Sequence, residues 1–286
     1  MYRKVFLTGG TGFVGTEILR ELARNKYKVK VLTHSQKPKV QSKLVEVVKG
    51  SVLDTDSLDS VKGCDMIIHL VGIIREIPWK GVTFEKLHVE ATRNMIKAAK
   101  ANKIKRFIHM SANGAKPKGT RYQTTKYRAE QLVKNSGLNY TIFRPSFIWG
   151  DTGGLRVQLG NMMKRFPLIP YFGDGNYKFQ PVSIKTVAEA FVKSINNRKA
   201  FNKIYHLGGP KVYTYKELLD IIAEKTGRKT VKIPIPMWVA RIAVTLLDWL
   251  PQFPITNDQL TMLLDGNVCG SSEATRDLKI KSYSFR

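Results

Sequence analysis

The chain has 286 residues, enough for one large domain or two unequal ones, and 43% of them are hydrophobic, so it can bury a sizeable core. Two distant cysteines, Cys64 and Cys269, match no metal-ligand spacing, which excludes a disulfide scaffold and a zinc module and points to a reducing compartment. Lys and Arg number 48 against 22 Asp and Glu, a formal net charge of +26 that attracts polyanions, but the basic residues are scattered and no basic arm or aromatic RNA-binding motif accompanies them, so nucleic acid is not the expected partner.

Met1-Tyr2-Arg3-Lys4 leads straight into the apolar run Val5-Phe6-Leu7, so no cleaved targeting peptide is expected. That run reads as a buried strand. Thr8-Gly9-Gly10-Thr11-Gly12-Phe13-Val14-Gly15 follows it, and then Ile18, Leu19, Leu22 and Ala23, spaced as the core face of a helix. Strand, glycine turn and helix together form the context in which a glycine fingerprint signals dinucleotide binding. Gly9 permits a tight turn. Gly12, lacking a Cβ, lets a pyrophosphate approach the backbone, and Gly15 lets the helix pack closely. The helix start offers free N–H groups and a partial positive charge to phosphate. Thr11, Phe13 and Val14 join the same candidate set.

Apolar runs recur at Lys28–Leu32, Val45–Val48, Met66–Val71, Arg106–Met110 and Tyr140–Phe143. Helical patterns lie between them at Thr16–Asn25, Asp56–Val61, Phe84–Ala101 and Arg121–Ser136. This alternation predicts an α/β fold with a Rossmann-type doubly wound parallel sheet whose ligand sits at the carboxyl ends of the strands. The rhythm changes after Gly150. Residues 1–150 are therefore expected to form the dinucleotide-binding domain, and 151–286 a smaller C-terminal α+β region for substrate or partner. In that region Phe166–Pro181 is rich in Pro, Gly and aromatics, and Val187–Asn197 and Lys216–Thr226 read as helices. The apolar stretch Met237–Leu250 contains Arg241 and Asp248 and is too short and too charged to span a bilayer. Two readings stay open for it: a buried helix, or an interfacial helix with Trp238 and Trp249 at headgroup level.

Tyr122 and Lys126 form Y-x-x-x-K inside Thr120–Ser136, which puts both side chains on one helix face. An ammonium beside a phenol is expected to favour the phenolate and lower its pKa. A tyrosine so tuned can exchange a proton with an alcohol or carbonyl while a hydride moves to or from a nicotinamide, and the lysine can hold the nicotinamide ribose. Ser111, at the end of the strand Arg106–Met110, is the candidate to orient the substrate oxygen. His69, on an apolar strand, is expected to pack with one hydrogen bond rather than act as a base. His88, His109 and His206 fall into no metal spacing, and no metal is expected.

Thr8–Gly15 with Tyr122 and Lys126 resembles the short-chain dehydrogenase/reductase superfamily, in its extended or atypical branch. His69-Leu70-Val71-Gly72 resembles the fourth-strand motif of that superfamily, which implies that Leu70, Val71 and Gly72 lie near ribose and nicotinamide. Arg144-Pro145-Ser146-Phe147 through Gly150 resembles R-P-x-x-x-x-G, which implies that Pro145, Ser146 and Phe147 line the nicotinamide end. This resemblance covers residues 1 to about 230. Gln180-Pro181-Val182, Leu207-Gly208-Gly209-Pro210, Tyr215 to Leu218, and Leu263-Leu264-Asp265-Gly266-Asn267-Val268 are similar to the complex I alpha-subcomplex subunit nine group and its bacterial relatives.

The chain also departs from the pattern. Where members that prefer NAD place an acidic residue after the second strand, Thr33-His34-Ser35-Gln36-Lys37 offers no carboxylate for the ribose 2′-hydroxyl. His34 and Lys37, with Lys39, are instead expected to receive a 2′-phosphate, favouring NADP(H) over NAD(H). Ser51, before Val52, replaces the adenine-contacting aspartate, and both are candidate cofactor residues. Lys185 stands where relatives have an aspartate. Two functions are expected from different classes. One is an NADP(H)-dependent oxidoreductase or epimerase using Tyr122 and Lys126. The other is a noncatalytic NADPH-holding subunit or assembly factor of a membrane respiratory complex, with a quinone, lipid, anionic membrane surface or acidic subunits as partners. The expected location is cytoplasmic, with peripheral attachment to the inner face of the cytoplasmic membrane as the variant that goes with the second reading.

Overall fold

The structure is a computed structural model describing residues 2–166, 168–227, 230–250 and 253–285; Met1 and Pro167, which belong to segments read above, lie outside these. In chain order the main elements are β1 (Lys4–Thr8), α1 (Phe13–Arg24), β2 (Lys28–Thr33), β3 (Val45–Lys49), β4 (Met66–His69), α2 (Ala91–Ala101), β5 (Arg106–Met110), α3 (Arg121–Lys134) and β6 (Asn139–Pro145). They continue with β7 (Ile148–Trp149), α4 (Leu155–Arg165), β8 (Leu168–Phe172), β9 (Lys178–Phe179), β10 (Val182–Ser183), α5 (Ile184–Ser194) and β11 (Lys203–Leu207). The last are β12 (Tyr213–Thr214), α6 (Tyr215–Thr226), β13 (Val231–Ile235), α7 (Met237–Leu247), α8 (Asn257–Asp265) and α9 (Ser272–Leu278).

The chain divides into two compact units. The first holds the residues up to Pro145 together with Ile184–Leu207 and Gly270–Lys281. Its seven strands pair in the order β11-β6-β5-β4-β1-β2-β3, every pairing parallel. Strands β4 and β5 are buried throughout, as a parallel sheet covered on both faces requires. On one face Phe6, Ile67, Phe107 and Ile142 pack with Met95 and Ala99 of α2 and Val133 of α3. On the other, α1 buries Ile18, Leu19 and Leu22 beside α5, whose Phe191 ring lies 4.5 Å from that of Phe143. The strand order reverses between β1 and β4, and in such sheets the crevice at that point receives the ligand.

The first segment of this unit ends at Pro145. A single boundary did not foresee the two returns to the sheet, by α5–β11 and by α9. They are tied in by polar contacts. Arg106, fully buried on β5, donates to the Asn139, Ser194 and Ile195 carbonyls and to Thr141 Oγ1, with its guanidinium 4.5 Å from the Phe201 ring. Burial lowers its pKa to about 10. Asp277 of α9 accepts from Lys203 and Tyr205 of β11, both at 2.8 Å.

The second unit comprises Ser146–Ser183, Gly208–Cys269 and the chain from Ser282 on. Among its described residues are three two-stranded sheets, β7 with β10, β9 with β12 and β8 with β13. Leu159 and Met163 of α4 pack with Leu218, Leu219 and Ile222 of α6, and with Ile169, Phe179 and Tyr213. Capping boxes start α6 at Thr214 and α8 at Thr256. A smaller cluster joins Ala240 and Val244 of α7 to Leu260 of α8. The stretch Met237–Leu250 is not the buried helix of the first reading: α7 buries only Ala240 and Val244.

Candidate functional site

Parallel pairing gathers the carboxyl ends of β1, β4 and β5 at one edge, with Thr8 opposite His69 and His69 opposite His109. The glycine turn leaves that edge. Gly9 sits at φ +74°, and a Cβ there would lie 3.1 Å from the backbone of Leu70 and Val71. A Cβ on Gly15 would lie 2.0 Å from the Gly9 oxygen, so the helix start and the turn are in backbone contact. Gly12 is different. A Cβ there would have only ordinary contact, 3.4 Å from the Gly9 oxygen, and the residue is exposed. It is the N-cap of α1, without a side-chain cap and without an acidic residue in the first turn. The first N–H groups of α1, around Phe13 and Val14, thus meet no side chain of their own turn, an arrangement suited to a phosphate. Thr11 is partly buried in the same turn. Gly10, absent from the sequence-derived set, is fixed by the core instead, since a Cβ would meet Val31 and Leu7 at 2.8 and 2.9 Å.

Helix α3 starts at a capping box of Thr120 and Gln123. Lys126 is buried and its Nζ donates to the Met110 carbonyl at 3.2 Å. A Cβ on Gly72 would lie 2.8 Å from that Nζ, so the lysine reaches across the end of β4. The Tyr122 ring, partly buried, makes edge contacts with Phe84 (5.7 Å) and His88 (5.4 Å). The expected lowering of the phenol pKa is not found. Burial pushes Tyr122 up to about 12, while the ammonium is directed at the Met110 carbonyl.

Three histidines surround this lysine electrostatically. His69 Nδ1 lies 2.7 Å from Thr8 Oγ1, its one hydrogen bond, as its strand position suggested. His109 stacks on it at 5.6 Å. His88 sits on a π-helical turn, Glu85–Glu90, with Nδ1 2.9 Å from Thr125 Oγ1. Burial, reinforced by Lys126, holds His69 down to about 3 and His88 to about 2. Burial likewise lowers His109, with smaller contributions from His69, Lys126 and His88. Among the described residues no cluster of three metal-ligating side chains occurs.

Burial also lowers Lys126 from 10.5 to about 8, against the opposing pull of Glu130. The folded pKa lies below the unfolded one. Between pH 8 and 10.5 the native state has lost a proton that the unfolded chain keeps, so stability rises with pH in that window and is least below it. At neutral pH the ammonium costs the cofactor-free fold on the order of 3 kcal/mol. Lys126→Met is expected to raise the melting temperature at neutral pH and to flatten the rise with pH. A melting temperature that stays the same or falls would contradict this cost.

Ser111 is buried and its hydroxyl donates to Glu130 Oε1 at 2.5 Å. Glu130 also accepts from Arg144 Nε at 2.8 Å and Nη2 at 2.5 Å. Sequence reasoning quoted Arg144 as part of a motif and did not single out Glu130. The available signal was its position one turn after Lys126 on α3. At the far side of the sheet His34 and Lys37 follow β2, exposed and without an ion pair among the described residues. Ser51 and Val52 follow β3, the Ser51 hydroxyl accepting from Leu53 N–H and the Val52 carbonyl from Asn94. Leu70, Val71 and Gly72 follow β4 directly, and Pro145 ends β6. Ser146 and Phe147 belong to the second unit, where Ser146 Oγ donates to the Gln180 carbonyl.

Residues 9–198, which include the glycine turn from Gly9 on, α3 and all but the β1 and β11 strands of the large sheet, match the model of the NAD(P)H-binding family. This chain belongs to the NAD(P)H-binding family. Among curated relatives, the mitochondrial NADH dehydrogenase [ubiquinone] 1 alpha subcomplex subunit 9 of Arabidopsis thaliana is 28% identical over 96% of this chain and 71% of its own length. Two further complex I relatives are covered over 66% and 65% of their lengths, so the chain spans about two thirds of these proteins. UDP-glucose 4-epimerase of Vibrio cholerae is 25% identical over 85% of this chain and 81% of that protein. The fold is that of UDP-glucuronic acid 4-epimerase from Bacillus cereus, solved with UDP-glucuronic acid and NAD, at TM-score 0.76 and 17% identity, covering 99% of this chain and 95% of that one. The NAD(P)H-binding protein thus has the fold of epimerases and relatives among both complex I subunits and epimerases.

Proposed function

We propose that this NAD(P)H-binding protein is an NADP(H)-dependent oxidoreductase in which Tyr122 is the proton donor. The observation that carries the reading is the pairing, on one face of α3, of a phenol held protonated at about 12 with a lysine that reaches Gly72 at the end of β4. The uncapped start of α1 and the bare backbone at Gly12 suit the pyrophosphate. Lys37 supplies a cation and His34 an imidazole N–H for a 2′-phosphate, and Lys126 supplies a donor for ribose. When bound, the dinucleotide supplies a hydride to a carbonyl carbon. Tyr122 then gives its hydroxyl proton to the carbonyl oxygen, forming the alcohol, and regains a proton from solvent. A phenol at about 12 is suited to the reducing direction, where the acid must be protonated. Ser111, bonded to Glu130, is a positioning residue for the end of β5 rather than a substrate contact.

The second reading is a dinucleotide-holding subunit of a membrane complex, and the complex I relatives favour it. One experiment separates the two. Purified protein is denatured and its dinucleotide identified, then native protein and Tyr122→Phe are assayed for NADPH oxidation with carbonyl and quinone acceptors. NADPH is expected to be released. Turnover is expected to fall by about a thousandfold in the variant, with dinucleotide content unchanged. Release of NADH alone would overturn the cofactor assignment, and no turnover by the wild type would leave the holding function.

A further inference from the structure

We propose that the outer stripe of α7 is a docking face for the surface of an anionic lipid bilayer. This goes beyond the reading above and holds whether or not the cofactor turns over. One face of α7 packs Ala240 and Val244 against Leu260, Phe172, Ile235 and Phe253. The opposite face carries Trp238, Ile242 and Leu246 at helical spacing, 68%, 54% and 64% exposed. Trp249 follows one turn later, also 68% exposed, its indole N–H donating to the Leu246 carbonyl at 2.9 Å. The stripe is therefore bounded at both ends by tryptophans and runs about 16 Å. The helix contains one charge, Arg241, which is exposed, and no carboxylate. Just before it, Val231 of β13 and its register partner Leu168 of β8 are also exposed, at 61% and 52%.

The chemistry of the stripe selects its occupant. No helix among the described residues is long and apolar enough to cross a membrane, so this face can only lie along one. Tryptophans at both ends of an aliphatic row are suited to the headgroup boundary, where the ring is apolar and the N–H polar. Charge complementarity makes the bilayer anionic: a chain of net charge +26 is drawn to acidic headgroups, whereas a second copy would bring an equal positive charge.

The test uses the full chain with its cofactor and vesicles of phosphatidylcholine, with and without phosphatidylglycerol. Wild type is expected to co-sediment with the anionic vesicles, and brominated lipid is expected to quench its tryptophan fluorescence. The exposed-face variant Trp238→Ser/Ile242→Ser/Trp249→Ser is expected to lose about tenfold or more in partitioning, with melting temperature and dinucleotide content unchanged. Lys97→Glu/Lys100→Glu, on the exposed surface of α2, is expected to weaken binding only at low salt. Absence of wild-type binding, full binding by the stripe variant, or a concentration-dependent dimer that the stripe variant abolishes would each overturn the assignment. Quenching measured on Trp79→Phe, which removes the one other exposed tryptophan among the described residues, decides the matter even if the triple variant folds poorly.

Discussion

Replacing Gly15 with valine is expected to weaken dinucleotide binding by at least about a hundredfold, or about 2.7 kcal/mol. The new Cβ would stand 2.0 Å from the Gly9 oxygen and 2.8 Å from the Gly10 Cα, and both neighbours are backbone. The turn has little room toward β4, where the space beside Gly9 is too small for even a Cβ, which would lie 3.1 Å from the Leu70 and Val71 backbone. It has little room toward the core, where a Cβ on Gly10 would meet Leu7 and Val31 within 2.9 Å. The start of α1 must therefore swing away from the turn, and the N–H groups meant for phosphate go with it. Such overpacking also costs stability, about 1–3 kcal/mol. Calorimetric titration with NADPH checks the first effect and thermal melting the second. Gly12→Ala is the companion variant. Its Cβ would make only ordinary contact with the protein, 3.4 Å from the Gly9 oxygen, so the fold is expected to melt as wild type while binding is lost to a clash with the pyrophosphate. Wild-type affinity in both variants would place the phosphate elsewhere.

Glu130→Ala is expected to destabilise the fold by about 3–5 kcal/mol. The carboxylate is fully buried, and it accepts three hydrogen bonds, from Ser111 and twice from Arg144. Arg144 is only 18% exposed and its charge is held up chiefly by the hydrogen bond to Glu130. Without that partner a guanidinium and a hydroxyl are left buried with nothing to neutralise them. Denaturant melts measure the loss, and Glu130→Leu/Arg144→Met is expected to recover much of it, since an apolar pair removes both charges. A loss under about 1 kcal/mol in the single variant would mean that the ion pair carries little of the fold.

The sequence was most legible where burial is total. Strands β1, β4 and β5, buried nearly throughout, show the apolar runs most clearly, and the expected segments from Val5 to Phe143 match β1 to β6 within a few residues. Strand β11 was not read, because Lys203 and His206 interrupt its pattern and its place at the edge of the sheet depends on α9. The two-residue strands of the second unit are too short for any periodicity to show. At the site, the glycines were legible because their requirement is local. The Tyr122–Lys126 spacing was legible too, but its electrostatics were not. Spacing places two side chains on one face, whereas the pKa of each depends on how much protein surrounds it and where the ammonium is directed. For Glu130 the sequence offered its place one turn after Lys126 but not its burial, for the same reason. On a polar helix a glutamate reads as solvated, and only the arrival of Arg144 from β6 makes it internal.

The interleaving of the two units has a consequence for the order in which the molecule can be assembled. The ribosome delivers β1 to β6 first, yet two of the four acceptors of the Arg106 guanidinium are carbonyls at the end of α5, and β11 is fastened by Asp277. A nascent chain that has reached Pro145 has an open edge at β6 and an interior cation short of two of its four acceptors. Residues 146–183 of the second unit are synthesised as a detour between β6 and α5, and 208–269 as another between β11 and α9, so the first unit begins to emerge before the second and is completed only after most of it.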